Sequence, residues 1–448
     1  FFQSAAMVKI LKPAWVDHDS QPIFSIHVHP DGSRFATAGQ DHLIKLWAMR
    51  PVVDRAAEAD EAEPRLLATL DGHHGAVNCV RWSADGLLLA SGSDDHLVML
   101  WRQAAAGEAG ASAPFGSRAP PSAERWRCVL TLTGHAGDVV DLAWAPAGHR
   151  LASVSLDNTV RVWEAAGAAA GGGAQLGGAQ QQVAVLQGHH GMAKGVGWDP
   201  VGRYIASQGD DRAVLVWESR EWSLAGRIEE PFLRTSQKTL FRRLSWSPDG
   251  QFVCAPHAYK KPAHIAVVLR RPTGTDTSQW RQECDFVGHK APVVVGAFSP
   301  RIFTRGPPAA AEAAAGDGGG AAAYSVCALG GQDCVVSVWV TCQPKALVVV
   351  RDLFKEDVLD LSWAADGSTL LCCSMDGSVA AIQIEPHEVG TPLPPAEQAA
   401  RLSQLYGAAA AAGAADLPLS ADLLALEAAA AQPPPPAPRR AAAGPAVP

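Results

Sequence analysis

The fold predicted by this sequence is all-β: a propeller of seven four-stranded blades with flexible insertions and a low-complexity C-terminal tail. Three observations predict it. Tryptophans outnumber tyrosines 14 to 4 and recur at intervals. Gly-His, Asp and Trp stand at identical spacings in three successive segments. Between these marks run short apolar, β-branched stretches closed by Asp-Gly turns, which are hairpin signals.

The clearest copies open at Gly72-His73, Gly134-His135 and Gly188-His189. Nine residues after each histidine comes Trp82, Trp144 or Trp198; after 22 comes Asp95, Asp157 or Asp211; six later comes Trp101, Trp163 or Trp217. This is the WD-repeat pattern. Four weaker copies complete seven. The first carries Asp41 and Trp47 after the turn at 29–32, and the fifth has Trp246 in SWSPDG without a closing Asp and Trp. The sixth has Gly288-His289, Phe298, Asp333 and Trp339. The seventh has Trp363 in SWAADG. Within a copy, 77–82, 87–93 and 96–101 read as strands, and 66–70 as the strand before Gly-His. Four strands cannot bury both their faces alone, so the copies must stack.

Buried polar groups need partners. A serine lies four residues before each strong aspartate, and Thr37 stands there in the first copy. In the WD-repeat geometry that these spacings resemble, the set joins a blade's strands: His73, Ser91, Asp95 and Trp101; His135, Ser153, Asp157 and Trp163; His189, Ser207, Asp211 and Trp217. The sixth copy has Leu329 at the serine position, which predicts an incomplete set. An open ring would expose two sheet edges. Residues 8–12 (VKILK) are expected to pair with 378–384 and close it.

The propeller is expected over 7–386, with Met7 as the natural start. Residues 387–448 are expected to be an Ala/Pro-rich disordered tail or linker ending at a fragment boundary, with 420–431 able to form a helix on binding. Insertions at 103–123, 165–182 and 304–323 read as flexible loops.

The formal net charge is −8, and no basic stripe points to duplex DNA. No apolar run reaches the roughly 18 residues of a membrane span. Nine scattered cysteines form no metal-spaced pair and read as reduced thiols of cytosol or nucleus. The five acids of 54–63 read as a solvated loop, or as a lure for a basic partner. The Gly-rich stretch near 170 lacks the Lys-Ser/Thr of a phosphate loop. His73-His74 and His189-His190 do not aim at one point, so no metal is expected. Repeated Ser, His and Asp mark a structural network rather than a hydrolase triad. The expectation is a protein-binding platform with no catalytic residue and no cofactor.

Counting back from each first-strand tryptophan, or its equivalent, places Asn78, Val140, Lys194, Arg242, Val294 and Leu359 at one end of the channel. Asp138 and Asp357 lie two residues further back, and Asp94 and Asp210 precede the turn aspartates. This mixed-charge ring is the candidate docking face. Arg243 is singled out because the repeat does not demand it: matching positions hold Cys79, Asp141, Gly195, Val295 and Asp360. A guanidinium fork suits a partner's carboxylate or carbonyls; the alternative is an internal pair with an acid such as Asp141 or Asp360.

Several strings outside the repeat skeleton are idiosyncratic. They include LKPAWVDH (11–18), 22–39, 124–146, 198–217, RRLSWSPDG (242–250), DFVGHKAPV (285–293) and CSMDGSVA (373–380). Together they resemble the N-terminal propeller of the HIRA/Hir histone-regulator family over about 7–386. The Ala/Gly-rich insertions depart from the family's pattern. The resemblance implies a nuclear scaffold of a histone chaperone complex for replication-independent nucleosome assembly and transcriptional regulation. It implies docking of a ubinuclein/Hpc-type subunit, with Arg243 in the segment concerned, and indirect handling of a histone H3 variant with H4. It also implies that the anti-silencing histone chaperone is met through a later segment with no clear copy here. The competing resemblances are the middle subunit of the replication-coupled chromatin assembly factor and a substrate receptor of a cullin ubiquitin ligase. For the last, Trp217-Glu218-Ser219-Arg220 is a loose match that lacks the Asp.

Overall fold

The computed structural model describes residues 8–104, 123–166, 168, 181–235, 239–272, 280–304, 323–341 and 343–406. Its strands form seven sheets. Blade 2 shows why these residues fold so. Val77–Trp82, Leu88–Ser93, Val98–Gln103 and Trp126–Leu132 pair in sequence order. All six residues of Leu88–Ser93 are buried, because neighbouring blades cover both faces; hence an apolar run instead of alternation. Gly86 closes the first hairpin with φ +73°, a conformation that side-chain-bearing residues rarely adopt.

The first strand of blade 1 is Ile23–Val28, of blade 3 Val139–Trp144, of blade 4 Ala193–Trp198, of blade 5 Ser245–Trp246, of blade 6 Val293–Thr304 and of blade 7 Val358–Trp363. With that of blade 2 they touch one another in a closed cycle and line the channel. The core lies between blades: Ile44 and Leu46 of blade 1 pack with Val77, Val80 and Leu89 of blade 2. Trp163 is fully covered between blades 2 and 3.

The ring closes as expected. Val8–Leu11 is the outer strand of blade 7, antiparallel to Val379–Ile384, with Val8 opposite Ile384 and Leu11 opposite Ala381. The insertions fall almost wholly outside the described residues, as does 420–431.

The expectation that disorder begins at 387 is corrected. Thr391–Pro392 pairs with Phe303–Thr304 as a fifth strand of blade 6. Helix α1 (Pro395–Tyr406) follows. Val389 is 1% exposed, and Tyr324 Oη donates to its carbonyl at 2.7 Å. Gln398 Oε1 accepts from the Ile302 N–H at 3.2 Å, and its Nε2 donates to Pro300 O at 2.8 Å. Tyr406 Oη donates to Asp249 O at 3.0 Å. Composition flags the Pro and Ala of this segment as unstructured; a few anchoring side chains order it across blades 5 and 6.

Candidate partner-docking face

The polar sets assemble inside their blades. His73 Nδ1 lies 2.8 Å from Asp95 and its Nε2 2.7 Å from Ser91 Oγ, to which Trp101 Nε1 donates at 2.8 Å. His135 meets Asp157 at 2.8 Å and Ser153 at 2.7 Å, and Trp163 donates to Ser153 at 2.8 Å. His189 meets Asp211 at 3.0 Å and Ser207 at 2.8 Å, and Trp217 donates to Ser207 at 2.9 Å. Each aspartate also accepts a backbone N–H beside its histidine, from His74, Ala136 or His190. The Gly-His loop is thereby fastened to the Asp turn. Burial works against Asp95 ionising, but the His73 bond and charge and the N–H groups of His74 and Leu97 outweigh it and hold its pKa at about 2.

Two further sets were legible except for one member each, His18 and Ser337. In blade 1, His18 lies 2.8 Å from Asp41 and 2.7 Å from Thr37, to which Trp47 donates. His18 follows no glycine, and it stands 23 residues before Asp41 rather than 22. The remaining signal was a histidine near the usual distance. In blade 6 the expected gap at Leu329 is corrected. His289 meets Asp333 at 2.8 Å and Ser337 at 2.9 Å, and Trp339 donates to Ser337 at 2.8 Å. The hydroxyl comes from the third strand, at a position facing Leu329 in the register.

The predicted docking residues gather at this same end of the channel. Phe24, Val140, Phe241, Val294 and Leu359 share one apolar cluster around its mouth. Asn78 donates to Asp94 at 2.7 Å and to Val139 O at 3.0 Å. Lys194 pairs with Asp210 at 2.8 Å, and Arg242 with the same carboxylate at 2.6 Å. Asp138 faces His96 at 3.5 Å, and Gln332 donates to Asp357 at 2.8 Å. Burial and then the Asp94 charge raise the Asp138 pKa; burial and then Glu356 raise that of Asp357, against the Gln332 bond. Asp94 is exposed and Asp138 and Asp357 are half-buried. Lys194 and Arg242 are buried, at 7% and 0% exposure. Their place in an outward-facing charge ring is therefore corrected: they support the face from within.

Arg243 lies deeper, 2% exposed, and makes the internal pair with Asp141 and Asp360 that stood as the alternative to direct docking. Its Nη1 donates to Phe24 O at 2.7 Å and Leu359 O at 2.8 Å, and its Nη2 to Asn78 O at 2.5 Å. Asp360 and Asp141 lie 3.3 and 3.6 Å from it. Its ring-side neighbour is Phe241, 4.1 Å from the guanidinium carbon to the ring centroid. Gly195 makes this possible: a Cβ there would stand 1.9 Å from Arg242 O.

Arg81 is the partner that sequence reasoning missed. It bridges Asp360 at 2.7 Å and Asp141 at 3.3 Å. Burial opposes the charge on Asp360, but Arg243, then Arg81, hold its pKa below the usual range. Arg81, Asp141, Arg243 and Asp360 line a cavity of about 400 Å³, whose other end is formed by turn residues such as Pro30, Ala84 and Pro300. A charge-balanced, hydrogen-bonded set of this kind joins blades. Every described functional group in it has an internal partner apart from Arg243 Nε, which faces Asp141.

A family model described as CAF1B/HIR1 beta-propeller domain matches residues 8–389. Protein HIR1 of Cryptococcus neoformans var. neoformans serotype D (strain JEC21) is 42% identical over 392 residues, 85% of this chain and 40% of that protein. Protein HIR1 of Mycosarcoma maydis is 39% identical over 393 residues, 86% of this chain and 35% of that protein. Protein HIRA of Homo sapiens is 41% identical over 404 residues, 89% of this chain and 37% of that protein. The chain spans well under half the length of these curated relatives.

Proposed function

Because this chain belongs to the CAF1B/HIR1 β-propeller family, we propose that it is the docking propeller of a histone chaperone scaffold. Its complex serves replication-independent nucleosome assembly and transcriptional regulation in the nucleus. The observation that carries this reading is 39–42% identity over at least 85% of the chain to proteins named HIR1 and HIRA. In this reading the propeller binds a ubinuclein/Hpc-type subunit, and histone H3 variant with H4 is reached through the complex. The anti-silencing histone chaperone is met through a segment outside the propeller.

The geometry supports a binding role without catalysis. The repeated Ser, His and Asp side chains are committed to joining strands, and the channel charges to joining blades. A rigid ring with exposed loops at both ends is suited to protein recognition.

Co-purification from nuclear extract tests the reading. Recovery of a ubinuclein-type subunit is the expected result. The family description also names CAF1B, so the middle subunit of the replication-coupled assembly factor is the second reading; recovery of a replication-clamp-linked complex would favour it. Recovery of a cullin adaptor instead would favour a ubiquitin-ligase receptor.

A further inference from the structure

We propose that the groove at the turn end of blades 3 to 6 is a binding site for a polyproline II segment, and that its occupant is 433–438 (PPPPAP) of this same chain. The groove lies at the opposite end of the channel from the candidate docking face, and the proposal does not depend on that face.

The sequence repeats an aromatic-x-Pro triplet at the same place in four successive blades: Trp144, Trp198, Trp246 and Phe298 each precede a proline by two residues. All four aromatic residues and all four prolines line one groove of about 470 Å³. An aromatic-lined groove is the surface against which a polyproline II helix packs. Such a segment has a preformed backbone whose carbonyls have no internal partners, so its site also needs a donor.

The groove holds one. In blades 3, 5 and 7 the indole nitrogen at this position donates to a carbonyl of the preceding blade: Trp144 to Arg81 O at 2.9 Å, Trp246 to Gly197 O at 3.1 Å, and Trp363 to Ala297 O at 2.9 Å. Trp198 breaks the pattern. It is 9% exposed, and its Nε1 is buried with no acceptor among the described residues. A buried donor without an acceptor is a cost that an incoming carbonyl removes.

The chain delivers its own occupant. Helix α1 borders the groove, with Gln398 and Leu402 in the lining. Its last residue, Tyr406, is held by Asp249 O at 3.0 Å and by the Arg271 guanidinium, 4.8 Å from the ring centroid. The 26 residues 407–432 separate Tyr406 from the proline run. At coil dimensions they span about 28 Å, so the run reaches the groove from its anchored edge. The tether sets a local concentration of about a millimolar, enough to fill a weak site. The run is uncharged, which suits a groove whose Arg81 and Asp199 are already paired with Asp360 and Arg271.

Nitrogen–proton NMR of the full chain tests this. Of its 14 indole resonances, the one lost in Trp198→Phe should move in the replaced chain Pro433→Gly/Pro434→Ser/Pro435→Gly/Pro436→Ser. It should move back as a synthetic QPPPPAPRR peptide is added. The peptide should bind the replaced chain at least about ten-fold more tightly than the wild type, whose groove is filled. A peptide with alanine at every proline should not bind. Trp198→Phe in the replaced chain should weaken peptide binding about ten-fold. If melting shows that this variant does not fold, the comparison of replaced and wild-type chains decides alone. An unmoved resonance, equal peptide affinity for the two chains, or binding of the alanine peptide overturns the proposal. So does a dimer formed by the wild type and lost in the replaced chain, which would place the run in the groove of a second copy.

Discussion

His289 Nε2 lies 2.9 Å from Ser337 Oγ, a hydroxyl carried by the third strand of blade 6. In blades 2 to 4 the same nitrogen is met from the second strand, by Ser91, Ser153 or Ser207. The paired strands put Leu329 opposite Ser337, so either strand can bring a hydroxyl to that point. Ser337→Ala should then destabilise the ring by about 1–3 kcal/mol, since His289 and Trp339 lose their shared partner. Leu329→Ser should fail to stabilise, because Leu329 is fully buried in an apolar cluster. Chemical denaturation of both variants measures this; a stabilising Leu329→Ser would show that the set is incomplete.

Asp157→Ala removes the acceptor that His135 and the Ala136 N–H share. The expected loss is about 1–3 kcal/mol of stability. Affinity for a partner at another blade should stay unchanged at temperatures where the ring is folded.

Arg243→Lys keeps the charge but cannot reach Phe24 O, Asn78 O and Leu359 O together, carbonyls of blades 1, 2 and 7. Stability should fall by about 1–3 kcal/mol for each buried bond left unmade. Partner binding should weaken only as far as unfolding does. A variant of wild-type stability with weakened binding would return Arg243 to direct contact.

Burial, then the Arg81 charge, lowers the His27 pKa to about 3. The unfolded chain, with histidine near 6.5, takes up this proton first. Stability is thus full above about pH 6.5 and declines as pH falls toward 3. His27→Asn preserves an acceptor for the Trp82 N–H, now met by His27 Nδ1 at 3.1 Å, and removes the titration. Its unfolding free energy should depend less on pH between about 6.5 and 4 than that of the wild type. Asp95 contributes a separate loss from the ordinary carboxylate range down to about 2.

Two truncations test closure. Removing residues 1–13 strips the outer strand from Val379–Ile384 and opens an edge, so the whole domain should unfold at lower denaturant. Ending the chain at Glu385 removes buried Val389 and the acceptor of Tyr324 Oη. The expected cost is on the order of 3 kcal/mol, read as a lower thermal midpoint. Unchanged melting in either case would show that the segment is dispensable to the fold.

The sequence by itself determined the blades, because each is a local pattern. Gly-His, Ser, Asp and Trp recur at fixed distances, as strand length and turn chemistry set the spacing within one hairpin-connected sheet. That reading located His73, His135 and His189 with their partners, and the closing strand at 8–12. Only the tertiary structure decided what depends on how blades face one another. Ser337 replaces a serine on another strand because paired strands present neighbouring side chains to one point. Arg243 turns inward because carbonyls and carboxylates of distant blades meet it there, over separations no periodicity encodes, whereas Arg242 and Lys194 are drawn in by Asp210 and Thr239 close by. Residues 387–406 are ordered by a few contacts with Tyr324, Pro300 and Asp249, which their Pro- and Ala-rich composition does not announce.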